Sequence, residues 1–295
     1  MTVAVKDYRP IYSADVTWCA GCGDYGILAG LQQALVKSEI EPHRVMIFSG
    51  IGCGSKLPDY IRTNGWQTLH GRSLPAAQGF KLANHSMTVI AVTGDGDGLG
   101  EGGNHWIHAM RRNINFTHLL QNNQTYGLTK GQASPTSDHG YISSTTPEGL
   151  LEYAINPLAM AIASGAGFVA RAFSGDLKNM VSIMQRAIAH PGYALVDILQ
   201  PCVTWNRKEY SYEWFRERIY DVNASGHTPD DRAQAFARCL EWGDKIPFGM
   251  FYESTDREPF ELQSHSIKMD LETPVALRGT SVDIARFEAL KQALI

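Results

Sequence analysis

The sequence predicts an α/β fold in which a mostly parallel sheet carries helices on both faces. Short apolar runs of strand length alternate with longer stretches of helical period between residues 15 and 200, an alternation typical of parallel sheets. Two of the apolar runs, at 89–92 and 116–120, are followed within three residues by glycine and aspartate or by asparagine. Because ligands of such sheets bind beyond the carboxyl ends of the strands, we expect the functional site at that edge.

Composition narrows the class of protein. The chain has 295 residues, 44% of them hydrophobic, and a formal net charge of −4, which suits a globular protein with a substantial core. Lysine and arginine are scattered, so nothing indicates a nucleic-acid-binding surface. No apolar run approaches the roughly 18 residues of a membrane span, and the N-terminus lacks the apolar segment of a signal peptide. We therefore expect a cytoplasmic protein that binds neither nucleic acid nor membrane.

The spacing of apolar residues and the positions of glycine and proline predict the individual helices and strands. Apolar residues at helical spacing predict helices, and compact apolar runs beside glycine predict strands. The predicted helices are a stretch of roughly four turns over 27–36, then 74–85, 101–113, one beginning at a capping-box pattern at 145–148, one beginning at Asn156 and Pro157, and 176–190. Further predicted strands are 44–48, 168–173, 193–199 and a weaker one at 248–252.

A change of composition after Pro201 predicts a boundary between two parts of the chain. Residues 205–295 are richer in charged and aromatic side chains, as in the run WNRKEYSYEWFRERIY at 205–220. We therefore predict a domain over 1–204 that carries the functional site. The remainder, 205–295, is predicted to be a C-terminal extension or arm that packs on this domain or on a partner.

The motifs at the two strand ends are Gly94-Asp95-Gly96 and Asn122-Asn123. Glycine on both sides of Asp95 lets the backbone turn sharply and approach a ligand such as a phosphate closely. Mg²⁺ prefers oxygen ligands and is usually held by one or two carboxylates together with substrate phosphates and water. Asp95 and Asn123 would supply such oxygens, so the two motifs predict a magnesium and phosphate site.

Three alternatives fit the same stretch less well. A calcium loop beginning at Asp95 would place Leu99 and Trp106 at its fifth and twelfth positions, and an apolar strand precedes it instead of a helix. The segment 98–103 satisfies a dinucleotide fingerprint, but no acidic residue lies about twenty residues further on, where one would bind the ribose. A turn that binds no ligand is the third alternative, since glycine is common in turns of every kind.

Four of the five cysteines lie in predicted turns near glycine or proline: Cys19 and Cys22 precede the first helix, and Cys53 and Cys202 follow two of the strands. Their spacing, C-x2-C-x30-C-x148-C, fits no compact zinc module but suits a cluster gathered from separate loops. A Cys-x-x-Cys pair alone is also compatible with a thioredoxin-like redox pair or half a zinc site, and inert burial is a further alternative. Cys239 has helical apolar neighbours and is expected to serve packing.

Several of these motifs together resemble a known family. The combination of Gly94-Asp95-Gly96 with Asn123 is similar to the thiamine diphosphate and Mg²⁺ motif of thiamine-dependent enzymes. More narrowly, NHWIHAMRRN at 104–113 and YGLTKGQASPT at 126–136 resemble the β subunit of 2-oxoacid:ferredoxin oxidoreductases, and the resemblance covers roughly residues 15–205. It implies a thiamine diphosphate-binding fold. It also implies an enzyme that works with an α subunit, coenzyme A and ferredoxin to decarboxylate a 2-oxoacid oxidatively to acyl-CoA and CO₂.

The resemblance further implies roles for individual residues. Mg²⁺ would be bound by Asp95, Asn123 and the backbone carbonyl of Thr125, and a [4Fe-4S] cluster by Cys19, Cys22, Cys53 and Cys202. Thiamine diphosphate would contact His70, Ile51, Gly52, Cys53, Gly54, Gly94, Gly96, Asp97, Asn123, Gly127 and Leu128. For His70, a purely structural role is the alternative. The carboxylate that activates the thiamine aminopyrimidine would come from the α subunit.

Two lysines bear on the choice of substrate. Lys130 follows Asn123 on a loop that must pass beside the reacting carbon, and relatives of the pyruvate type resemble this loop with glycine at its position. A lysine there is long enough to reach the distal carboxylate of a dicarboxylic 2-oxoacid, so we expect 2-oxoglutarate rather than pyruvate. Lys56 is a second candidate for binding the substrate carboxylate, and His70 completes the catalytic candidates. Solvated surface lysines are the alternative.

Two other classes of enzyme remain open from the sequence. A non-redox thiamine diphosphate-dependent decarboxylase would keep Asp95 and Asn123 but would have no use for four converging cysteines. A thiol-disulfide oxidoreductase would use Cys19 and Cys22 but would have no use for the glycine-flanked Asp95. Only the ferredoxin-linked enzyme requires both sets of residues together.

Overall fold

The computed structural model describes residues 3–10, 15–278 and 284–293. These residues form one eight-stranded sheet. In chain order its strands are β1 (Val45–Ser49), β2 (Asn64–Gln67), β3 (Thr88–Gly94), β4 (Phe116–Asn122), β5 (Phe168–Phe173), β6 (Tyr193–Leu199), β7 (Ile219–Asp221) and β8 (Ile246–Glu253). The order across the sheet is β2-β1-β3-β4-β6-β5-β8-β7, and every neighbouring pair is parallel except β5 and β8. The predicted mostly parallel sheet is confirmed.

Helices cover both faces of this sheet. They are α1 (Gly23–Lys37), α2 (Ser73–Ala83), α3 (Gly103–Arg112), α4 (Pro157–Ala163), α5 (Leu177–Ala189), α6 (Tyr212–Arg218), α7 (Arg232–Cys239), α8 (Phe260–Gln263), α9 (His265–Lys268) and α10 (Ile284–Ala293). Helices α1 and α5 pack in the core on one face, and α2, α3, α4 and α7 pack in the core on the other. None of the helices within the described ranges has the length and apolarity needed to cross a membrane.

Burial on both faces explains why the strands are recognisable as apolar runs. In β1 all five residues are buried, with Val45 and Ile47 in one core and Met46 and Phe48 in the other. Alternate side chains of a strand point to opposite faces, so a strand covered on both sides needs apolar residues throughout. Replacing a fully buried core residue such as Leu31 of α1 by alanine would cost about 2 to 5 kcal/mol.

Most predicted elements are present, and one is wrong. Strands β5 and β6 have the predicted bounds, and α4 begins at Pro157, with the Asn156 side chain accepting a hydrogen bond from the Ala159 backbone N–H at 3.0 Å. The helix predicted to begin at 145–148 does not form, and residues 143–149 make a turn instead. There the Ser143 hydroxyl bonds to the nearby threonines, and Gly149 has a φ of 96°, which is outside the helical region.

The helix predicted over 101–113 begins two residues later than expected. Residues Gly96–Glu101 form a wider helical turn of the π type directly after Asp95, and α3 follows from Gly103. Asn113 ends α3 in a left-handed conformation, with a φ of 56°, as asparagine often does after a helix. The glycine-rich stretch therefore serves as one helical turn between β3 and α3.

The C-terminal part of the chain contributes to the same sheet. Strand β8, predicted weakly at 248–252, pairs antiparallel with β5, and β7 pairs parallel with β8 at the sheet edge. A third core cluster joins Phe173 and Leu199, at the ends of β5 and β6, to Tyr210, Phe215 and Ile246. The segment from Tyr210 to Glu253 is thus packed against the sheet by shared apolar contacts and by strand pairing.

A chain of buried hydrogen bonds lies beneath the turn that carries Asp95. Trp106 Nε1 donates to Tyr193 Oη at 3.0 Å, that hydroxyl is 2.8 Å from His118 Nδ1, and His118 Nε2 is 2.8 Å from Thr93 Oγ1. A Cβ atom built on Gly98 would lie 2.4 Å from the same Thr93 oxygen. Complete burial lowers the pKa of His118 to about 3, so the imidazole is neutral at pH 7.

We expect His118 to make the fold sensitive to acid. The pKa of His118 is about 3 in the folded chain and about 6.5 in the unfolded chain. Between about pH 3 and pH 6.5 the unfolded chain therefore binds a proton at this histidine that the folded chain does not. Its contribution to stability is therefore complete above about pH 6.5 and falls by up to about 1.4 kcal/mol per pH unit as the pH is lowered. Urea unfolding of the wild type and of His118→Gln, at neutral pH and at about pH 5, measures this loss.

The control is His43→Gln, which replaces a histidine whose side chain is 71% exposed. His118→Gln should be less stable at neutral pH but lose less stability on acidification. An equal loss of stability in all three proteins would contradict the assignment.

Candidate active site

A cavity lies at the carboxyl ends of β1, β3, β4 and β6, where turns and loops follow the strands. Every residue predicted to contact the cofactor lines this one cavity. The complete lining is Ile51, Gly52, Cys53, Gly54, His70, Gly94, Asp95, Gly96, Asp97, Gln121, Asn123, Thr125, Tyr126, Gly127, Leu128, Thr129 and Gln200. The structure therefore brings together segments that are up to about 150 residues apart in the chain.

Asp95 is a buried carboxylate in the wall of the cavity. Its Oδ2 accepts hydrogen bonds from Ser134 Oγ and Thr136 Oγ1, both at 2.5 Å. Burial raises the pKa of Asp95, while the two hydroxyl donors and the backbone N–H of Asn123 lower it by stabilising the charged form. A cation beside the carboxylate would favour the charged form further, so this residue suits a hard metal ion.

Asn123 stands next to Asp95 at the start of a sharp bend. Its Oδ1 accepts a hydrogen bond from the Thr125 backbone N–H at 3.1 Å, and its carbonyl accepts one from Asn206 Nδ2 at 2.7 Å. Gln124, between Asn123 and Thr125, has a φ of 57°, a left-handed conformation that few residues other than glycine adopt. The bend keeps Asn123 and Thr125 on the same side of the cavity as Asp95, and their oxygens are a donor set that fits Mg²⁺.

Asp97 joins two loops of the cavity wall. Its Oδ1 accepts hydrogen bonds from the backbone N–H groups of Gly71, at 2.8 Å, and Ile51, at 3.1 Å. A Cβ atom on Gly50 would lie 1.9 Å from Asp97 Oδ2, so glycine is required there for the carboxylate to fit. Burial raises the pKa of Asp97 to about 6, against the opposing effect of the two backbone donors. Asp97 thus positions the loops after β1 and β2 relative to the turn after β3.

Cys19 and Cys22 lie against the turn that carries Cys202. Gln200 Nε2 is 3.3 Å from Cys22 Sγ, and Thr204 Oγ1 is 3.1 Å from Cys19 Sγ. Both contacts span more than 170 residues of sequence, so the Cys-x-x-Cys pair and the turn after β6 are brought together only by the fold. Three of the four predicted cluster cysteines therefore belong to one group.

Cys53 joins this group across Gly127. A Cβ atom on Gly127 would lie 3.8 Å from Cys202 Sγ and 3.9 Å from Cys53 Sγ, so both sulfurs face the same glycine. Burial raises the pKa of Cys53 to about 11, with smaller contributions from Asp24 and from the thiols of Cys202 and Cys19. Because Cys53 also lines the cavity, the cysteine group and the cavity share a wall.

The donor chemistry of this group fits an iron–sulfur cluster. Within residues 3–10, 15–278 and 284–293, no three histidine, cysteine or acidic side chains converge closely enough to hold one metal ion. A [4Fe-4S] cluster binds each thiolate at a different iron, so its ligands stand further apart than those of a single ion. Cys239 is fully buried at the end of α7 in the apolar core, as expected for a packing residue.

Comparison with known proteins decides the family. Residues 50–198 match the family described as thiamine pyrophosphate enzyme, C-terminal TPP binding domain, and residues 202–269 match the C-terminal family of the pyruvate ferredoxin oxidoreductase beta subunit. The chain is 41% identical over 289 residues to the 2-oxoacid:ferredoxin oxidoreductase 1 subunit beta of Aeropyrum pernix, covering 94% of this chain and 90% of that protein. The chain belongs to the family of 2-oxoacid:ferredoxin oxidoreductase β subunits.

Two further relatives of this β subunit have a substrate in their names. The 2-oxoglutarate oxidoreductase subunit KorB of Mycobacterium tuberculosis is 46% identical over 211 residues, covering 70% of this chain and 57% of that protein. A solved structure of 2-oxoglutarate:ferredoxin oxidoreductase from Magnetococcus marinus, with 2-oxoglutarate, coenzyme A and succinyl-CoA bound, has a TM-score of 0.89 at 34% identity. It covers 98% of this chain and 96% of that one. The predicted family and fold are confirmed, and the similarity continues past residue 205 to 269.

The two lysines predicted to bind substrate lie outside the wall of the cavity. Lys56 is half-buried and its Nζ donates to Thr17 Oγ1 at 2.8 Å. Lys130 is exposed and has a φ of 85°, in a tight turn directly after the cavity residue Thr129. Backbone held in this rarely populated region is concentrated at ligand-binding sites. Their roles in binding a substrate carboxylate stay predictions.

Gln121 is a cavity residue that no sequence motif indicates. It is 1% exposed, and among the described residues neither its side-chain nitrogen nor its oxygen has a hydrogen-bond partner. A Cβ atom on Gly54 would lie 1.5 Å from Gln121 Oε1, so only glycine admits this side chain. An unpaired buried amide costs about 1 to 3 kcal/mol, so a polar ligand in the cavity would satisfy it. Its position next to last in β4 is the only sequence signal, since ligands gather at strand ends.

Tyr126 covers the glycine-rich turn of the β subunit. Its hydroxyl donates to the Gly96 carbonyl and to Glu101 Oε1, both at 3.3 Å. A Cβ atom on Gly96 would lie 2.3 Å from the Tyr126 ring, and one on Gly100 would lie 2.4 Å from its hydroxyl oxygen. The turn and the ring can therefore pack together only because these positions are glycine.

We expect Gly96→Ala to weaken the binding of thiamine diphosphate. The added methyl group would force the turn or the Tyr126 ring to move, and overpacking of this kind costs about 1 to 3 kcal/mol, or roughly five- to hundredfold in affinity. Calorimetric titration of the complex with thiamine diphosphate and Mg²⁺ measures the change.

Gly79→Ala in α2 is the matched control, because a Cβ atom there meets nothing within 4 Å. It should bind the cofactor as the wild type does and gain about 0.5 to 1 kcal/mol of stability. Unchanged affinity in Gly96→Ala would show that the close packing of Tyr126 is not required.

Proposed function

We propose that this β subunit, together with an α subunit, decarboxylates a 2-oxoacid oxidatively in the presence of coenzyme A. The products would be acyl-CoA and CO₂, with electrons passing through a [4Fe-4S] cluster to ferredoxin. The observation that carries the proposal is the shared wall: Cys53 lines the cavity that contains Asp95 and Asn123, and its sulfur faces Gly127 together with that of Cys202. A non-redox decarboxylase would not need the cysteines, and a thiol-disulfide oxidoreductase would not need the oxygen ligands.

In the proposed site, Asp95, Asn123 and the carbonyl of Thr125 would hold Mg²⁺ on the diphosphate. When bound, thiamine diphosphate supplies the carbon nucleophile and the electron sink for decarboxylation. The chain itself supplies positioning. Asp97 fixes the loop after β1, and the buried amide of Gln121 offers hydrogen bonds to whatever occupies the cavity. Holding the reacting groups in a fixed orientation lowers the entropic part of the activation free energy.

The proximity of the cysteines supports a redox reaction. A cluster held by Cys19, Cys22, Cys53 and Cys202 would border the cavity, so electrons released on decarboxylation would have a short path out of it. Iron–sulfur clusters accept one electron at a time, which suits transfer to ferredoxin. The fifth cysteine, Cys239, is packed in the apolar core, so every cysteine that lies in a turn is assigned to the proposed cluster.

The open side of the cavity supports a partner subunit. His70 and Leu128 line it and are exposed. The large apolar side chains of Trp66, in β2, and Leu69, on the loop from β2 to His70, are 61% and 75% exposed. Exposed apolar groups in one region are typical of surfaces that another protein covers. We propose that the α subunit packs over this side and contributes the activating carboxylate and most of the coenzyme A site.

We predict that iron content separates the cysteines into two groups. Serine at Cys19, Cys22, Cys53 or Cys202 should lower the iron and sulfide content, because each removes a thiolate ligand, whereas Cys239→Ser should retain it. The anaerobically purified wild-type complex should contain about four irons per β subunit, with broad absorption near 400 nm.

Asp95→Ala serves as the matched control for this series, because Asp95 belongs to the proposed magnesium site. It should lose thiamine diphosphate while keeping its iron. Equal iron loss in all five serine variants, or a wild type without iron, would contradict the proposed function.

We further propose that 2-oxoglutarate is the preferred substrate, with Lys130 contacting its distal carboxylate. A charge-assisted contact contributes about 1.5 to 3 kcal/mol, so Lys130→Met should lower kcat/KM for 2-oxoglutarate roughly ten- to hundredfold. The value for 2-oxobutyrate, which lacks the distal charge, should change little. Lys37→Met, at the exposed end of α1, is the control for loss of a surface charge. An equal loss with both substrates would remove Lys130 as the specificity residue.

A further inference from the structure

Gln200 lies between the cofactor cavity and the sulfur of Cys22. Its side chain is 2% exposed and lines the cavity, and its Nε2 donates a hydrogen bond to Cys22 Sγ at 3.3 Å. Among the described residues, Gln200 is the only buried amide side chain that both lines the cavity and contacts a cysteine sulfur. Gln200 is thus placed where an influence on the proposed cluster is expected.

The surrounding structure holds this side chain in place. The Gln200 backbone N–H donates to the Asn122 carbonyl at 2.9 Å, at the point where β4 and β6 end together. A Cβ atom on Gly23 would lie 2.6 Å from Gln200 Cγ, so α1 packs directly against the side chain. Because its backbone is fixed beside the end of β4 and the close contact with α1 limits its rotamers, the amide keeps its donor aimed at Cys22.

A hydrogen bond to a cluster thiolate acts differently on the two oxidation states. The reduced cluster carries one more negative charge, so its sulfurs accept hydrogen bonds more strongly. The donor therefore stabilises the reduced form and raises the reduction potential. At Gln200 this effect is not shared with water, because both the amide and Cys22 are buried.

The contact between Thr204 and Cys19 offers a natural comparison. Thr204 Oγ1 lies 3.1 Å from Cys19 Sγ, but Cys19 is exposed and Thr204 is only partly buried. Water can replace a hydroxyl donor at an exposed sulfur, so loss of this contact should matter less.

We propose that Gln200 is a positioning residue that raises the reduction potential of the cluster through its hydrogen bond to Cys22. The proposal rests on the proposed function, in which Cys22 is a cluster ligand. The residue would thereby help the cluster to accept electrons from the adjacent cavity, without itself touching the reacting atoms.

The experiment is a redox titration, followed by electron paramagnetic resonance, of the anaerobically purified complex of α and β subunits. Four proteins are compared: the wild type, Gln200→Leu, Thr204→Val and Gln263→Leu, which changes a glutamine of α8. At a fixed applied potential, Gln200→Leu should lower the ratio of reduced to oxidised cluster roughly three- to tenfold, tenfold being about 59 mV for a one-electron couple. Thr204→Val should cause a smaller shift in the same direction, and Gln263→Leu should cause none.

Iron and sulfide analysis of the same samples separates the possible failures. A wild type without a cluster would contradict the proposed function itself. A wild type with a cluster whose potential is unchanged or raised in Gln200→Leu would overturn the role of Gln200 alone. If Gln200→Leu does not retain iron, the titration is repeated with Gln200→Met, whose side chain is unbranched and of similar length. Gln200→Met is expected to lower the ratio of reduced to oxidised cluster in the same way. A ratio equal to that of the wild type would overturn the proposal.

Discussion

The buried carboxylate of Asp97 is the interaction on which the shape of the cavity depends. It accepts hydrogen bonds from the Ile51 and Gly71 backbone N–H groups, and it fits only because Gly50 has no side chain. These contacts connect the turn after β3 to the loops after β1 and β2, and a hydrogen bond from Arg72 to the Glu101 carbonyl reinforces the connection. Although burial raises its pKa to about 6, Asp97 is still mostly charged at neutral pH, and a charged carboxylate binds amide donors more strongly than a neutral one.

The parallel sheet explains how distant residues come to share this site. Strands β1, β3, β4 and β6 are neighbours in the order β1-β3-β4-β6, so the turns that follow them meet at one edge. Oxygen ligands follow β3 and β4, and cysteines follow β1 and β6. The proposed site for diphosphate and metal therefore lies between the strands whose turns carry Cys53 and Cys202, and the fold brings these two sulfurs together at Gly127. This arrangement suits an enzyme that couples decarboxylation to electron transfer.

Within the described part of the chain, several buried polar groups without hydrogen-bond partners lie in or near the wall of the cavity, and others, such as Asn179 and His190, lie elsewhere. Among the described residues, Gln121, Gln124, Asp24 and Asp97 each have a buried side-chain atom with no hydrogen bond. Each such atom costs free energy, and natural proteins depart from consistent packing mainly where function requires it. The two apolar cores and the hydrogen-bond chain through His118 and Tyr193, which lies beneath the Asp95 turn, supply stability that offsets this cost.

The sequence by itself determined the elements whose evidence is local. Strands β5 and β6 were predictable because burial on both faces leaves uninterrupted apolar runs. The location of Asp95, Asn123, Cys53 and Cys202 at one edge was predictable because all four follow parallel strands. Only the tertiary structure decided the role of groups whose partners are distant in sequence. Gln200 and Gln121 are ordinary polar residues until the fold places Cys22 and Gly54 against them. Likewise, the capping-box pattern at 145–148 cannot reveal that its threonine hydroxyls bond to Ser143 and that the backbone of the loop closes between Tyr141 and Leu150, because such hydrogen bonds compete with those of a helix.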